Sequence, residues 1–118
     1  MTQPQRLRGD RLPASRLSGW VGAVASAQFV VLVATSTRYG FHRDELYFIA
    51  AGSHPAFGYP DQPPLVPLLS WAMHELAPGS LFVLRLPSAL AATATSILAA
   101  LVARETGGSR RAQVIAAA

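Results

Sequence analysis

Residues 19–37 read GWVGAVASAQFVVLVATST and carry no charge, and residues 86–103, LPSALAATATSILAALVA, carry none either. Both runs approach the roughly 20 apolar residues that a helix needs to cross a bilayer. Their polar side chains are Ser, Thr and one Gln, which can bond to helix carbonyls or to neighbouring helices. The sequence therefore predicts an all-α membrane protein with transmembrane helices at 19–37 and 81–103.

The charges of the chain are placed around these two runs. The chain has 118 residues, of which 51% are hydrophobic and 14% charged, with a net charge of +4. Seven of its ten basic residues lie before the first run or after the second, namely Arg6, Arg8, Arg11, Arg16, Arg104, Arg110 and Arg111. By the positive-inside rule both ends are cytoplasmic, which predicts a multi-pass protein of the cell membrane.

The remaining segments are assigned from this topology. Residues 1–18 form a cytoplasmic arm, and 38–80 an extracytoplasmic loop with two short helices, one over 42–52 and an amphipathic one opened by Pro63 and Pro64. Residues 104–111 form a cytoplasmic loop, and the apolar residues 112–118 begin a third transmembrane helix. Because seven residues cannot cross a bilayer, we expect the chain to be the front of a longer protein.

Three other interpretations are considered for these features. The first apolar run could be a signal peptide, but it continues well past the small residues 25–27 without a clean cleavage pattern. The amphipathic segment in the loop could be a third span. Nucleic-acid binding is not predicted, because the arginines flank membrane spans and no binding motif is present. Cysteine is absent, which excludes disulfides and thiolate metal sites.

Three sequence blocks in order resemble a known family. They are RDELYF at 43–48, GYPDQPPL at 58–65 and LRLPS at 84–88. Together they resemble the amino-terminal part of the family 39 glycosyltransferases of the GT-C class, which includes protein O-mannosyltransferases and the aminoarabinose transferases of lipid A. The resemblance covers residues 19–118. It implies transfer of a sugar from a polyprenyl-phosphate donor to an extracytoplasmic lipid, glycan or protein acceptor.

The same resemblance implies that Asp44 and Glu45 supply the catalytic carboxylate, with Asp44 as the general base. Adjacent side chains on a helix diverge by roughly 100°, so the two cannot address one hydroxyl. Glu45 is then expected to orient Arg43, a backbone amide or the acceptor. The alternative is that Asp44 only caps the helix and that Glu45 is solvated in its first turn.

Other candidate site residues lie in the same blocks. Asp61 is expected to bind the acceptor, or a divalent cation in relatives that use one, and its alternative is an ordinary turn position. Arg43 and Arg85 suit the donor phosphate, although each also sits where a side chain can reach lipid headgroups. Histidine spacing matches no metal motif, so no metal site is assigned and no cofactor is predicted with confidence.

Three functional hypotheses follow from the sequence. The first is the amino-terminal part of a glycosyltransferase that uses a polyprenyl-phosphate sugar. The second is a non-catalytic polytopic protein, a transporter or assembly subunit whose external acids bind a cation or substrate. The third is a truncated product without activity, and by itself this length of chain is not expected to be active.

Overall fold

The structure is a computed structural model that describes residues 16–118, and every regular element in that range is a helix. The helices are α1 (Gly19–Thr35), α2 (Arg43–Gly52), α3 (Leu65–Leu76), α4 (Leu81–Glu105) and α5 (Arg110–Ala117). This confirms the all-α prediction. Most of the predicted cytoplasmic arm, up to residue 15, lies outside the described residues.

Of the two predicted spanning helices, one has the length and composition of a span. Within residues 16–118, only α4 is long and apolar enough to cross a membrane, with 25 residues and a mean hydropathy of 1.8 in its most apolar window. Helix α1 has 17 residues, about 26 Å at 1.5 Å per residue, against a hydrocarbon core of about 30 Å. It stops two residues before the predicted end because hydroxyl groups take the last carbonyls. Thr35 Oγ1 donates to Val31 O at 2.7 Å, and Ser36 Oγ donates to Val33 O at 2.7 Å.

Helix α4 carries its apolar side chains on an exposed surface. Only 11% of its most apolar window is buried within the protein, whereas the core helix of a soluble protein is mostly buried. Exposed apolar surface of this extent needs an apolar environment to cover it. This composition and exposure favour association with a membrane, in which the proline inside the helix, Pro87, is tolerated.

The second half of the chain departs from the predicted boundaries. Helix α4 continues past residue 103 to Glu105, where Arg104 Nη2 lies 2.5 Å from Glu105 Oε1. The predicted cytoplasmic loop 104–111 is therefore reduced to residues 106–109, and the final helix begins at Arg110 rather than at residue 112. Gly107, at φ 85°, makes so short a connection feasible, since other residues rarely adopt this left-handed conformation.

The chain divides into two compact units. Of the described residues, the first unit holds 16–25 and 95–118, and the second holds Ser26–Ala94. In the first unit, Gln113 is fully buried and its Oε1 accepts a hydrogen bond from Ser18 N at 3.0 Å. Its apolar core is formed by Val21, Ala100 and Ala117, with Val24 and Val114 packed against them.

In the second unit, α2 packs against α3 where Gly52 meets Pro67. A Cβ atom added at Gly52 would lie 2.2 Å from Pro67 O and 2.6 Å from Trp71 Cβ. Both Gly52 and Pro67 are buried. Glycine thus permits the backbones of the two loop helices to approach, and the end of α2 predicted at Gly52 is confirmed.

We expect Gly52→Ala to destabilise the α2–α3 pair by about 1–3 kcal/mol, since overpacking at a tight contact has a cost in this range. Gly58→Ala is the matched control, because nothing lies within 4 Å of its added Cβ. Thermal unfolding in detergent micelles, followed by tryptophan fluorescence, measures the difference. Equal midpoints for the two variants would contradict the close approach.

Candidate active site

The amino-terminal end of α2 is built by a capping box. His42 is the N-cap, and its Nδ1 accepts a hydrogen bond from Asp44 N at 3.3 Å. In return, Glu45 Oε2 accepts one from His42 N at 2.8 Å. Two backbone donors that the helix leaves unpaired are satisfied in this way. The alternative role of Asp44 as the cap is wrong, because a histidine holds that position.

Glu45 also binds Arg85, which lies on α4, forty residues along the chain. Arg85 Nε lies 2.6 Å from Glu45 Oε1, and Arg85 Nη2 lies 2.8 Å from Glu45 Oε2. This is a two-pronged guanidinium–carboxylate pair, the geometry in which arginine binds carboxylates most strongly. The two side chains are only 22% and 21% exposed, so solvent screens the pair less than it would a surface pair.

The rest of the Arg85 guanidinium binds the backbone that follows α1. Nη1 donates to Ser36 O and, at 3.4 Å, to Tyr39 O, while Nη2 donates to Gly40 O at 3.0 Å. With the two contacts to Glu45, all five N–H donors of Arg85 are used within the protein. We call this arrangement the Arg85 clamp. It joins α4, the segment 36–40 and α2.

The clamp changes the acidity of Glu45. Hydrogen bonding from Arg85 is the largest influence and lowers the pKa of the Glu45 carboxyl below its ordinary value of 4.5, with desolvation acting in the opposite direction. The bond from His42 N lowers the pKa further. Glu45 is therefore held as a carboxylate, and its oxygens are directed at groups of the protein.

Asp44 is placed differently from its neighbour. Its side chain is 57% exposed, and its ionic contact is longer, at 3.6 Å from Oδ1 to Arg43 Nε. The Arg43 side chain is 93% exposed. Asp44 thus presents its carboxyl group to the outside in the first turn of α2.

Asp61 lies in a tight turn and is linked to α2. Tyr59 and Gln62 exchange backbone hydrogen bonds of 3.1 and 3.3 Å, which closes the turn around Asp61. The hydroxyl of Tyr47 donates to Asp61 Oδ1 at 2.8 Å. Hydrogen bonding to Asp61 is the largest cause that raises the pKa of the Tyr47 phenol. The turn position of Asp61 is confirmed, and the contact brings its carboxylate to the helix that carries Asp44.

The structure thus brings some predicted site residues together and not others. Glu45 accepts a hydrogen bond from the backbone amide of His42, one of the three partners considered for it, and its charged partner is Arg85 rather than Arg43. Sequence reasoning missed this pair, although a signal existed: Arg85 is a charge within a long apolar helix, and such charges usually have a partner. It also missed His42 as the N-cap of α2 and Tyr47 as the hydrogen-bond donor to Asp61.

A cavity of about 450 Å³ lies beside the clamp. Its lining includes Glu45 and Arg85 together with Leu32, Ser88, Ala89 and Ala92. This volume is within the range of small-molecule sites. Among residues 16–118, no group of three His, Asp or Glu side chains could hold a metal ion.

Comparison of the chain with family models, with curated proteins and with solved structures found no match in any of the three. The function is therefore argued from the residues and their geometry.

The clamp makes a prediction about pH. Since the folded-state pKa of Glu45 is lowered, the stability that its ionisation contributes is complete above about pH 4.5 and is lost as the pH falls through the lowered value. We expect Glu45→Gln to lower the free energy of unfolding by about 1.5–3 kcal/mol at neutral pH, the range for hydrogen bonds to charged groups. The difference from the wild type should shrink as the pH falls from about 5 to 3.

Chemical denaturation at a series of pH values measures this difference. Glu75→Gln removes the same charge at an exposed position of α3 and is the control. A Glu45→Gln deficit that stays constant down to pH 3, or one matched by Glu75→Gln, would contradict the clamp.

Proposed function

We propose that this chain is the amino-terminal part of an integral-membrane glycosyltransferase that transfers a sugar from a polyprenyl-phosphate donor to an acceptor hydroxyl. The order of the blocks at 43–48, 58–65 and 84–88 supports the proposal through its resemblance to family 39. The single observation that carries the mechanism is the unequal placement of two adjacent carboxylates. Glu45 is bonded within the clamp, whereas Asp44 is exposed.

This difference suits a division of roles. In the proposed reaction the acceptor oxygen forms a bond to the anomeric carbon of the sugar, and the bond from that carbon to the phosphate oxygen breaks. The leaving polyprenyl phosphate carries its own negative charge and needs little help from an acid, so the main requirement is a base for the acceptor proton. Asp44 is the carboxylate placed to receive that proton. Glu45 keeps the start of α2 in position.

The other candidates take supporting roles. Asp61 would bind an acceptor hydroxyl, with its orientation set by the Tyr47 hydroxyl. Arg43 is exposed beside Asp44 and would reach the donor phosphate with its guanidinium. Arg85 was also a phosphate candidate, but its donors are used within the protein. It could contact a phosphate only by releasing one of its carbonyl partners, so we assign it to positioning.

The proposal requires that the loop carrying Asp44 lies outside the cytoplasm. In this topology α4 spans the membrane, and α1, whose 17 residues are at the lower limit for a span, crosses beside it. Both chain ends then lie with the arginines in the cytoplasm.

Cysteine labelling tests the topology, because the chain has no cysteine of its own. We expect Gly58→Cys to react with a membrane-impermeant maleimide in intact cells, and Thr106→Cys to react only after the membrane is permeabilised. Both residues are exposed, so access depends on the side of the membrane rather than on burial. Labelling of residue 106 but not of residue 58 in intact cells would exclude the proposed site.

Substitution of Asp44 tests the chemistry in membranes that contain the full-length gene product. We expect Asp44→Asn to reduce transfer at least about 100-fold, the lower range for a general base, while insertion and folding are unchanged. Glu45→Gln should have a milder effect, because it weakens the support of the site rather than the base. The assay supplies a panel of polyprenyl-phosphate hexoses labelled in the sugar. The label transferred to lipid, glycan and protein fractions is then measured.

The controls of this assay distinguish the remaining hypotheses. Glu75→Gln, an exposed acid outside the blocks, should transfer at the wild-type rate. Equal turnover by the wild type and Asp44→Asn would remove Asp44 as the base. Absence of transfer from every donor of the panel would favour the non-catalytic membrane protein.

A further inference from the structure

The first unit contains an open groove that the proposed reaction does not use. Its volume is about 920 Å³, and it lies between the start of α1 and α5. The apolar lining includes Trp20, Ala23, Val114 and Ile115, of which Trp20 is 74% and Ile115 is 76% exposed. Large apolar side chains left this exposed beside one another usually mark a binding surface.

Two arginines also line the groove. Arg110 and Arg111 are exposed, and neither forms an ion pair or a side-chain hydrogen bond with any described residue. Among the described residues no acidic side chain belongs to the lining, and Glu105, the described acid nearest along the chain, is paired with Arg104. The groove therefore combines apolar surface with two positive charges that the described part of the chain leaves without partners.

The position of these arginines is unfavourable for α5 itself. They are its first two residues, at the end where the helix dipole already places positive charge. An anion bound there would offset this local cost, because it would meet both the guanidinium groups and the amino-terminal end of the helix. Ser109 caps the helix by accepting from Ala112 N at 3.3 Å, so the start of α5 is well formed.

We propose that this groove binds an anionic phospholipid, with the phosphate on Arg110 and Arg111 and an acyl chain along Trp20, Val114 and Ile115. Charge complementarity selects this occupant over a zwitterionic lipid or an apolar helix, since neither brings a net negative charge to the two adjacent guanidinium groups. Basic pockets beside spanning helices on the cytoplasmic side are typical sites for anionic lipid headgroups. In the proposed topology this groove faces the cytoplasmic leaflet.

Tryptophan quenching by brominated lipids tests the proposal. In a Trp71→Phe background Trp20 is the sole tryptophan of the chain. The full chain is placed in phosphatidylcholine nanodiscs with increasing fractions of acyl-brominated phosphatidylglycerol or, separately, acyl-brominated phosphatidylcholine. We expect half-maximal quenching at an about thirtyfold lower fraction of the anionic lipid, because two arginines at about 1 kcal/mol each near a surface correspond to that ratio.

Two double variants identify the charges responsible. Arg110→Gln/Arg111→Gln should remove the preference for phosphatidylglycerol, whereas Arg38→Gln/Arg104→Gln, with the same change in net charge at residues outside the groove lining, should keep it. Circular dichroism confirms that each variant is folded. Loss of the preference in both variants would reveal a general attraction to the membrane and overturn the site.

The remaining outcomes also contradict the proposal. Equal quenching by both lipids would mean an apolar groove without charge selection. Absence of quenching by either would mean that protein covers Trp20, from this chain or a second copy. If inorganic phosphate abolishes the preference, while sodium chloride at equal ionic strength does not, the arginines bind free phosphate rather than a lipid.

Discussion

The structure of the second unit depends on one guanidinium group. Arg85 sits near the start of an otherwise apolar stretch of α4, and an unpaired charge in such a place would be costly. Its five donors reach the carboxylate of Glu45 and three carbonyls of the segment 36–40. Removal of the guanidinium would leave all these acceptors to find other partners. The contacts of the Arg85 guanidinium therefore set the orientation of α2 and, with it, the direction in which Asp44 points.

The second constraint is the environment that the two apolar helices, α1 and α4, require. Helix α4 is long enough to cross a bilayer and buries little of its apolar surface within the protein, and α1 exposes Trp20, Val30 and Val31. Surface of this kind is stable when lipid or further helices cover it. The polar groups of the second unit are gathered instead on α2 and in the following turn, beside the place where α4 begins. This separation of apolar helices from polar side chains is consistent with a site at the boundary of a membrane.

The helices were predictable, whereas their ends and contacts were less so. The positions of the helices depend on local composition, so long uncharged runs and the prolines at 63 and 64 identify them. The end of α1 at Thr35 depends on hydroxyl groups that compete for the last carbonyls, and hydropathy does not detect this competition. The pair of Glu45 and Arg85 joins residues forty positions apart, and no periodicity reports such a contact. His42 was missed because asparagine, aspartate, serine and threonine are the usual caps.

The arginines of this chain illustrate how the bonding state of a side chain decides its role. All donors of Arg85 are used within the protein, so it can hold neighbouring segments but has little left for a ligand. Arg43, Arg110 and Arg111 are exposed, and what they attract is decided by their surroundings. Arg43 stands beside the Asp44 carboxylate, which limits its attraction for anions. Arg110 and Arg111 have no such neighbour within residues 16–118, and they border apolar surface. Positive charge beside exposed apolar side chains is complementary to a lipid with an anionic headgroup, which is the occupant we propose.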